Sequence, residues 1–140
     1  MIVVVVIGLL AAMAVPAFKK VRINSYASRL ANDYRVFATA FEVYALEVGK
    51  WPVDGIGNAL PASAQPYFEN SAWYQTPPNG GYWDWEANRL GFVASIGLSG
   101  GLGNLDMAVY VRVDEILDDG NLSSGIFRLV GGRFLYILQE

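Results

Sequence analysis

The apolar positions of this chain follow three different patterns in succession. Met1 to Phe18 is apolar at every position, without a charge or a strongly polar side chain. From Ile23 the apolar residues thin to a stripe, Ile23, Ala27, Leu30, Tyr34, Phe37, Phe41, Tyr44 and Val48, in steps of four and three. That spacing predicts one amphipathic helix continuing the apolar one, with Ser28, Arg29, Asn32, Asp33, Arg35, Glu42 and Glu47 mostly off the stripe. Gly49 suits a helix stop, and Pro52 cannot continue the helix. Beyond residue 50 the period shortens. Tyr82-Trp83-Asp84-Trp85-Glu86 alternates aromatic with acidic, which predicts a strand with buried tryptophans and a wet carboxylate face. Ala87-Asn88 is the expected turn into a second strand over Leu90–Ile96. Phe127–Val130 and Arg133–Leu138, joined by Gly131-Gly132, predict a terminal hairpin.

Two segments are less regular. Residues 52–81 hold five of the six prolines and read as a long ordered loop with a helical turn around Ala62–Phe68, closed by Pro77-Pro78-Asn79-Gly80-Gly81. Residues 105–117 fit a strand by Met107, Val109, Val111 and Val113, and a helix by Leu105, Val109, Val113 and Ile116. Three regions result: an apolar helix half over 1–18, an amphipathic half over 19–50, and a head over 51–140. The fold class is α+β, a long N-terminal helix packed on a small antiparallel sheet.

The first region is about 27 Å long as a helix, just short of a bilayer's hydrocarbon core. Its ten Leu, Ile, Val and Phe residues favour insertion by roughly 3–6 kcal/mol, offset in part by Gly8 and Pro16. A membrane helix, a cleaved secretory signal with Ala12-Met13-Ala14 as its site, and a buried core helix all share this composition. The all-round apolar character and the amphipathic continuation favour the first. Pro16 removes one helical hydrogen bond and Gly8 is a weak helix former, so Gly8–Pro16 is the easiest stretch to bend or melt. A helix of nearly fifty residues outruns one small head. Its N-terminal half therefore calls for other subunits as cover.

Composition sharpens this picture. Of 140 residues 54% are hydrophobic and 16% charged, with mean hydropathy +0.30 and net charge −3. Residues 19–35 form a basic neck of net +4, and residues 36–140 an acidic body of net −7. An acidic body argues against nucleic acid as a partner. There is no cysteine and no histidine, so thiolate chemistry, disulfides and the commonest general base and metal ligand are all excluded. Gly97-Leu98-Ser99-Gly100-Gly101 has the form of a hydrolase elbow, but no histidine exists to activate Ser99. Asp84 and Glu86 read as a solvated face. A ligand surface built on Tyr74, Trp83 and Trp85 is the binding-module alternative. Asp114, Asp118, Asp119 and Asn121 offer oxygen ligands for calcium, although the spacing is not that of an EF-hand; a polar turn bent at Asp119-Gly120 is the better fit.

The run MIVVVVIGLLAAMAVPAFKKVRINS resembles the methylated N-terminal helix of the type IV pilin and type II secretion pseudopilin family, in the Gly8–Pro16 spacing, the Ala11-Ala12 pair and the Pro16-Ala17-Phe18 ending. Glu47-Val48-Gly49-Lys50-Trp51-Pro52 looks like the end of the first helix in pseudopilins, and Val113-Asp114 with Asp118–Gly125 is similar to the same group. The resemblance implies a structural subunit rather than an enzyme. Such a subunit polymerises with itself into a pilus-like or pseudopilus filament, or caps one as a minor, ligand-binding tip subunit. It implies that the family's leader and first few mature residues, including a glutamate, precede Met1. It implies storage in the bacterial inner membrane, processing by a prepilin peptidase, and delivery by assembly machinery to a periplasmic or extracellular filament. Met1, Val5, Gly8, Leu9, Ala12, Pro16, Phe18, Ile23 and Leu30 are the expected filament-core residues.

Overall fold

In the computed structural model, residues 2–55, 59–101 and 103–140 are described. One helix, α1, runs from Ile2 to Val48 without a break, straight through Gly8 and Pro16. At about 1.5 Å per residue it is roughly 70 Å long. It ends where expected, with Gly49 at φ 78° as the left-handed stop. Two short 3-10 turns follow, Gln65–Phe68 and Ala72–Tyr74. Then come β1 (Tyr82–Arg89), β2 (Phe92–Ser99), α2 (Met107–Leu117), β3 (Phe127–Val130) and β4 (Arg133–Gln139). The four strands form one antiparallel sheet in the order β1-β2-β4-β3. The ambiguous 105–117 segment is a helix, capped by the Asp106 carboxylate, which accepts from the Ala108 amide at 3.1 Å.

Period decides which faces meet. Ala27, Leu30, Tyr34, Phe37, Phe41 and Tyr44 are buried along α1, and alternate residues of the sheet face them: Trp83 and Trp85 from β1, Leu98 and Ile96 opposite on β2, Phe134 and Tyr136 next on β4. The join is aromatic. Phe41 stacks on Trp85 with ring centroids 3.9 Å apart, and Tyr34 meets Trp83 edge-on at 5.0 Å. Two of the polar tips are satisfied: Tyr34 donates its hydroxyl to the Phe134 carbonyl at 2.9 Å, and the Trp85 indole donates to the Pro52 carbonyl at 3.0 Å. α2 lies beside α1 over the same face, with Tyr110 stacked on Phe134 at 3.7 Å. α1 holds both ends of α2. Lys19 pairs with Asp106 at 2.9 Å, and Arg35 donates to the Ile116 carbonyl at 2.8 Å.

The first hairpin turns later than its sequence predicts. β1 continues through Ala87 and Asn88 to Arg89, and the bend is Leu90-Gly91, both at positive φ (55° and 92°). Two positive φ angles are what a tight hairpin with the twist of its strands requires, and Gly91 supplies one of them without strain.

The carboxylate face of β1 is the larger correction. Asp84 and Glu86 are buried, not solvated. Opposite them on β2 stand only Gly97 and Ser95, and Arg133 reaches across from β4 to pair with both acids, at 2.9 Å to Asp84. Arg89 adds a second pairing to Glu86 at 3.4 Å. Two arginines lie over the acids where water was expected.

Candidate assembly helix and acidic loop

α1 divides sharply by what covers it. Every residue from Ile2 to Arg22 whose side chain is described is exposed, whereas the covered stripe begins at the half-buried Ile23. Val5, Leu9 and Phe18 keep 60%, 59% and 73% of their surface open, and Gly8, Ala12 and Pro16 are exposed beside them. Met1 lies outside the described residues. Nothing packs near Gly8, so its missing side chain answers no need inside the subunit. Leu30 is different. It is wholly buried in the head, so it holds the subunit together and has no surface to offer a neighbour. The N-terminal part of α1 is long and apolar enough to cross a membrane, a test that a signal sequence also meets.

The sequence stripe misses a second one. On the side of α1 turned away from the head, Val36, Val43 and Leu46 are exposed, Leu46 to 84%. Their spacing of seven and three is a helical one, but the mixed residues between them hid it. Leu46 borders a groove of about 440 Å³ with Ala45, Gly49, Trp51 and Gln139.

At the C-terminal end of α2, three carboxylates converge. Asp114, Asp118 and Asp119 each place one oxygen within 4.8 Å of the others. Asp114 is fully buried, with no side chain among the described residues donating to its oxygens. Burial pushes its carboxyl up to about 6, and the charges of Asp119 and Asp118 push the same way. The backbone amides of Gly120 and Asp119 pull it back in part. Asp118 turns Oδ2 to the amides of Ile126 and Phe127, which ties the end of α2 to the start of β3. Asp119 accepts from the Asn121 amide at 2.8 Å and from the Ser124 hydroxyl at 2.9 Å. Asn121 spends its side-chain oxygen on the Ser123 amide at 3.2 Å, so it braces the loop. Gly125, at φ 75°, is needed here: a Cβ would collide with the Asp118 carboxylate.

The remaining candidates are structural. Ser99 ends β2 in a buried position. Gly101 beside it is explained by close approach, since a Cβ there would meet the Asn79 carbonyl, just as one on Gly81 across the loop would meet the Ser99 carbonyl. Trp83 and Trp85 are core residues, whereas Tyr74 is 62% exposed, so the three do not form one ligand platform. Comparison with protein-family profiles, with curated proteins and with solved structures finds no match for this chain.

Proposed function

We propose that this chain is a structural subunit that polymerises through the N-terminal half of α1 into a type IV pilus-like or type II secretion pseudopilus filament. The observation that carries the reading is the 21-residue stretch Ile2–Arg22, apolar up to Phe18, in which every described side chain is exposed. Apolar surface on that scale needs either lipid or other helices around it. A helix that accepts both can be stored in the inner membrane and then bundled with copies of itself. The family resemblance at Gly8–Pro16 and at Trp51-Pro52 supports this order of events, with a prepilin peptidase and assembly machinery as transient partners. On this reading the acidic heads face outward from the fibre. The tip-adhesin alternative is weaker, because two of its three aromatic residues are spent on the core. The reading assigns no catalytic role.

The test is electron microscopy of material sheared from the native cell surface, with mass spectrometry of its main band. Thin fibres made chiefly of this chain are the expected result for a surface filament. Fractionation separates the remaining outcomes: a chain held with the inner membrane in short periplasmic assemblies fits a pseudopilus, and a chain found only as a dispersed monomer refutes polymerisation.

A further inference from the structure

We infer that the cleft between the basic neck of α1 and the N-terminal end of α2 binds the phosphate headgroup of one anionic phospholipid at the membrane surface. Basic residues beside an apolar helix are common and do not make a site. Here two of them line a cavity. Lys19, Arg22, Ile23 and Tyr26 fall on one face of α1 at helical spacing, Asn104 and Asp106 stand opposite, and the space between is about 200 Å³. That is small for a drug-sized ligand and suits a single phosphate ester. Lys20 and Arg29, from the same neck, are not part of its wall.

The depth of the cleft is right for a headgroup. The apolar run ends at Phe18, so Lys19 and Arg22 stand about 1.5 and 6 Å further along the helix axis. The headgroup layer is roughly 5–8 Å thick on each side of the hydrocarbon core. Both cations therefore lie within it. Arg22 is steadied without being neutralised: its guanidinium lies over the Tyr26 ring, 5.4 Å from the centroid, with Nε 3.4 Å from the Tyr26 hydroxyl. Among the described residues no carboxylate pairs with it. Its two terminal nitrogens suit the paired oxygens of a phosphate. Lys19 does have a partner, Asp106, but the pair is 70% and 43% exposed. Such a pair is weakly held, and Lys19 can turn to a second anion. The apolar surface decides between a lipid and a free phosphate. Val15 and Phe18 lie one turn below Lys19 and Arg22, 69% and 73% exposed. A phosphate carried on an acyl chain meets both the cations and these side chains, whereas a free phosphate meets the cations alone. The inference rests on the membrane-stored stage of the proposed function. Its test reads no filament, so its failure leaves polymerisation standing.

The experiment uses the full chain in neutral detergent micelles, titrated with short-chain phosphatidylglycerol. Short-chain phosphatidylcholine and sodium phosphate are run in parallel at equal concentration. Native mass spectrometry counts bound lipid, and tryptophan fluorescence reads the melting temperature. One phosphatidylglycerol per chain is expected, with a rise in melting temperature of roughly 3 °C or more at saturation. Arg22→Ala, at an exposed position, should weaken binding about tenfold or more. Lys20→Ala removes an equal charge outside the cleft and should weaken it less than about twofold. Asp106→Asn keeps a side chain that can cap α2 and removes the competing acid, so it should tighten binding roughly threefold. An equal response to phosphatidylcholine, or no response to either lipid, would overturn the inference. An equal response to sodium phosphate would overturn the assignment to a lipid. Equal losses in Arg22→Ala and Lys20→Ala would reduce the cleft to diffuse basic charge and overturn it as a site.

Discussion

Asp114 shows how a single group can set the pH response of the head. Its carboxyl is raised from 3.8 to about 6 by burial, with the neighbouring Asp119 and Asp118 charges adding to it. The folded state therefore holds this proton more tightly than the unfolded chain does. Between about pH 4 and pH 6 the unfolded chain has already ionised while the folded one has not, so each rise in pH costs stability. At about 1.4 kcal/mol per unit, the loss is at most about 3 kcal/mol and is complete above pH 6. The wild type should thus lose melting temperature relative to Asp114→Asn between pH 4 and pH 7. Parallel thermal scans of the two proteins check this, and a constant difference across the range would contradict it. The acids of β1 show how much of such behaviour is legible in sequence. Alternation placed Trp83 and Trp85 inside and Asp84 and Glu86 on the opposite face, and both placements hold. What alternation could not reveal was Arg133, 47 residues beyond Glu86, lying across that face and closing it to water. Period fixes the face, and only tertiary pairing decides whether the face is wet.

At the scale of elements, the long helix was the most legible feature, because its stripe repeats over 26 residues and ends on a glycine that the backbone uses as a stop. The terminal hairpin was legible for a similar reason, as Gly131-Gly132 takes the two positive φ values of its turn. The first hairpin turn was misplaced by three residues, because Asn88 is a common turn residue and Leu90 is not. Here the register of the aromatic pairs, with Trp83 opposite Leu98 and Trp85 opposite Ile96, outweighs the local preference of one leucine. The two stripes of α1 separate cleanly in a mutational test. Phe41 is fully buried and stacked on Trp85, so Phe41→Ala should cost about 3–5 kcal/mol. Leu46 touches mostly solvent, so Leu46→Ala should change stability by no more than about 0.5 kcal/mol. Urea unfolding of the detergent-solubilised chain, followed by tryptophan fluorescence, compares the two. Similar losses for both would mean that the outer stripe is covered within the subunit.

The whole molecule is a head mounted on the second half of a helix about twice as long as the head needs. Covered and uncovered halves meet near Ile23, and the Lys19–Asp106 pair lies at that border. On the proposed reading, this division separates two properties that are usually entangled, folding and assembly. The core draws nothing on residues before Ala27 except the packing of Ile23 and Tyr26 at its margin. A change in the apolar half should therefore leave the head intact. Leu9→Asp tests that separation. A carboxylate at the middle of the segment costs about 3 kcal/mol of insertion, enough to cancel much of the roughly 3–6 kcal/mol that favours it. In a bundle of helices the same charge has no partner among its apolar neighbours, which is costly again. The variant should keep the wild-type melting temperature in detergent within about 1–2 °C, since the site makes no contact with the core. It should also leave the membrane fraction in part and form no filaments under the electron microscope. Normal filaments carrying Leu9→Asp would remove the apolar half of α1 from the assembly interface. A head that no longer folds would show instead that the two halves of the helix are not independent.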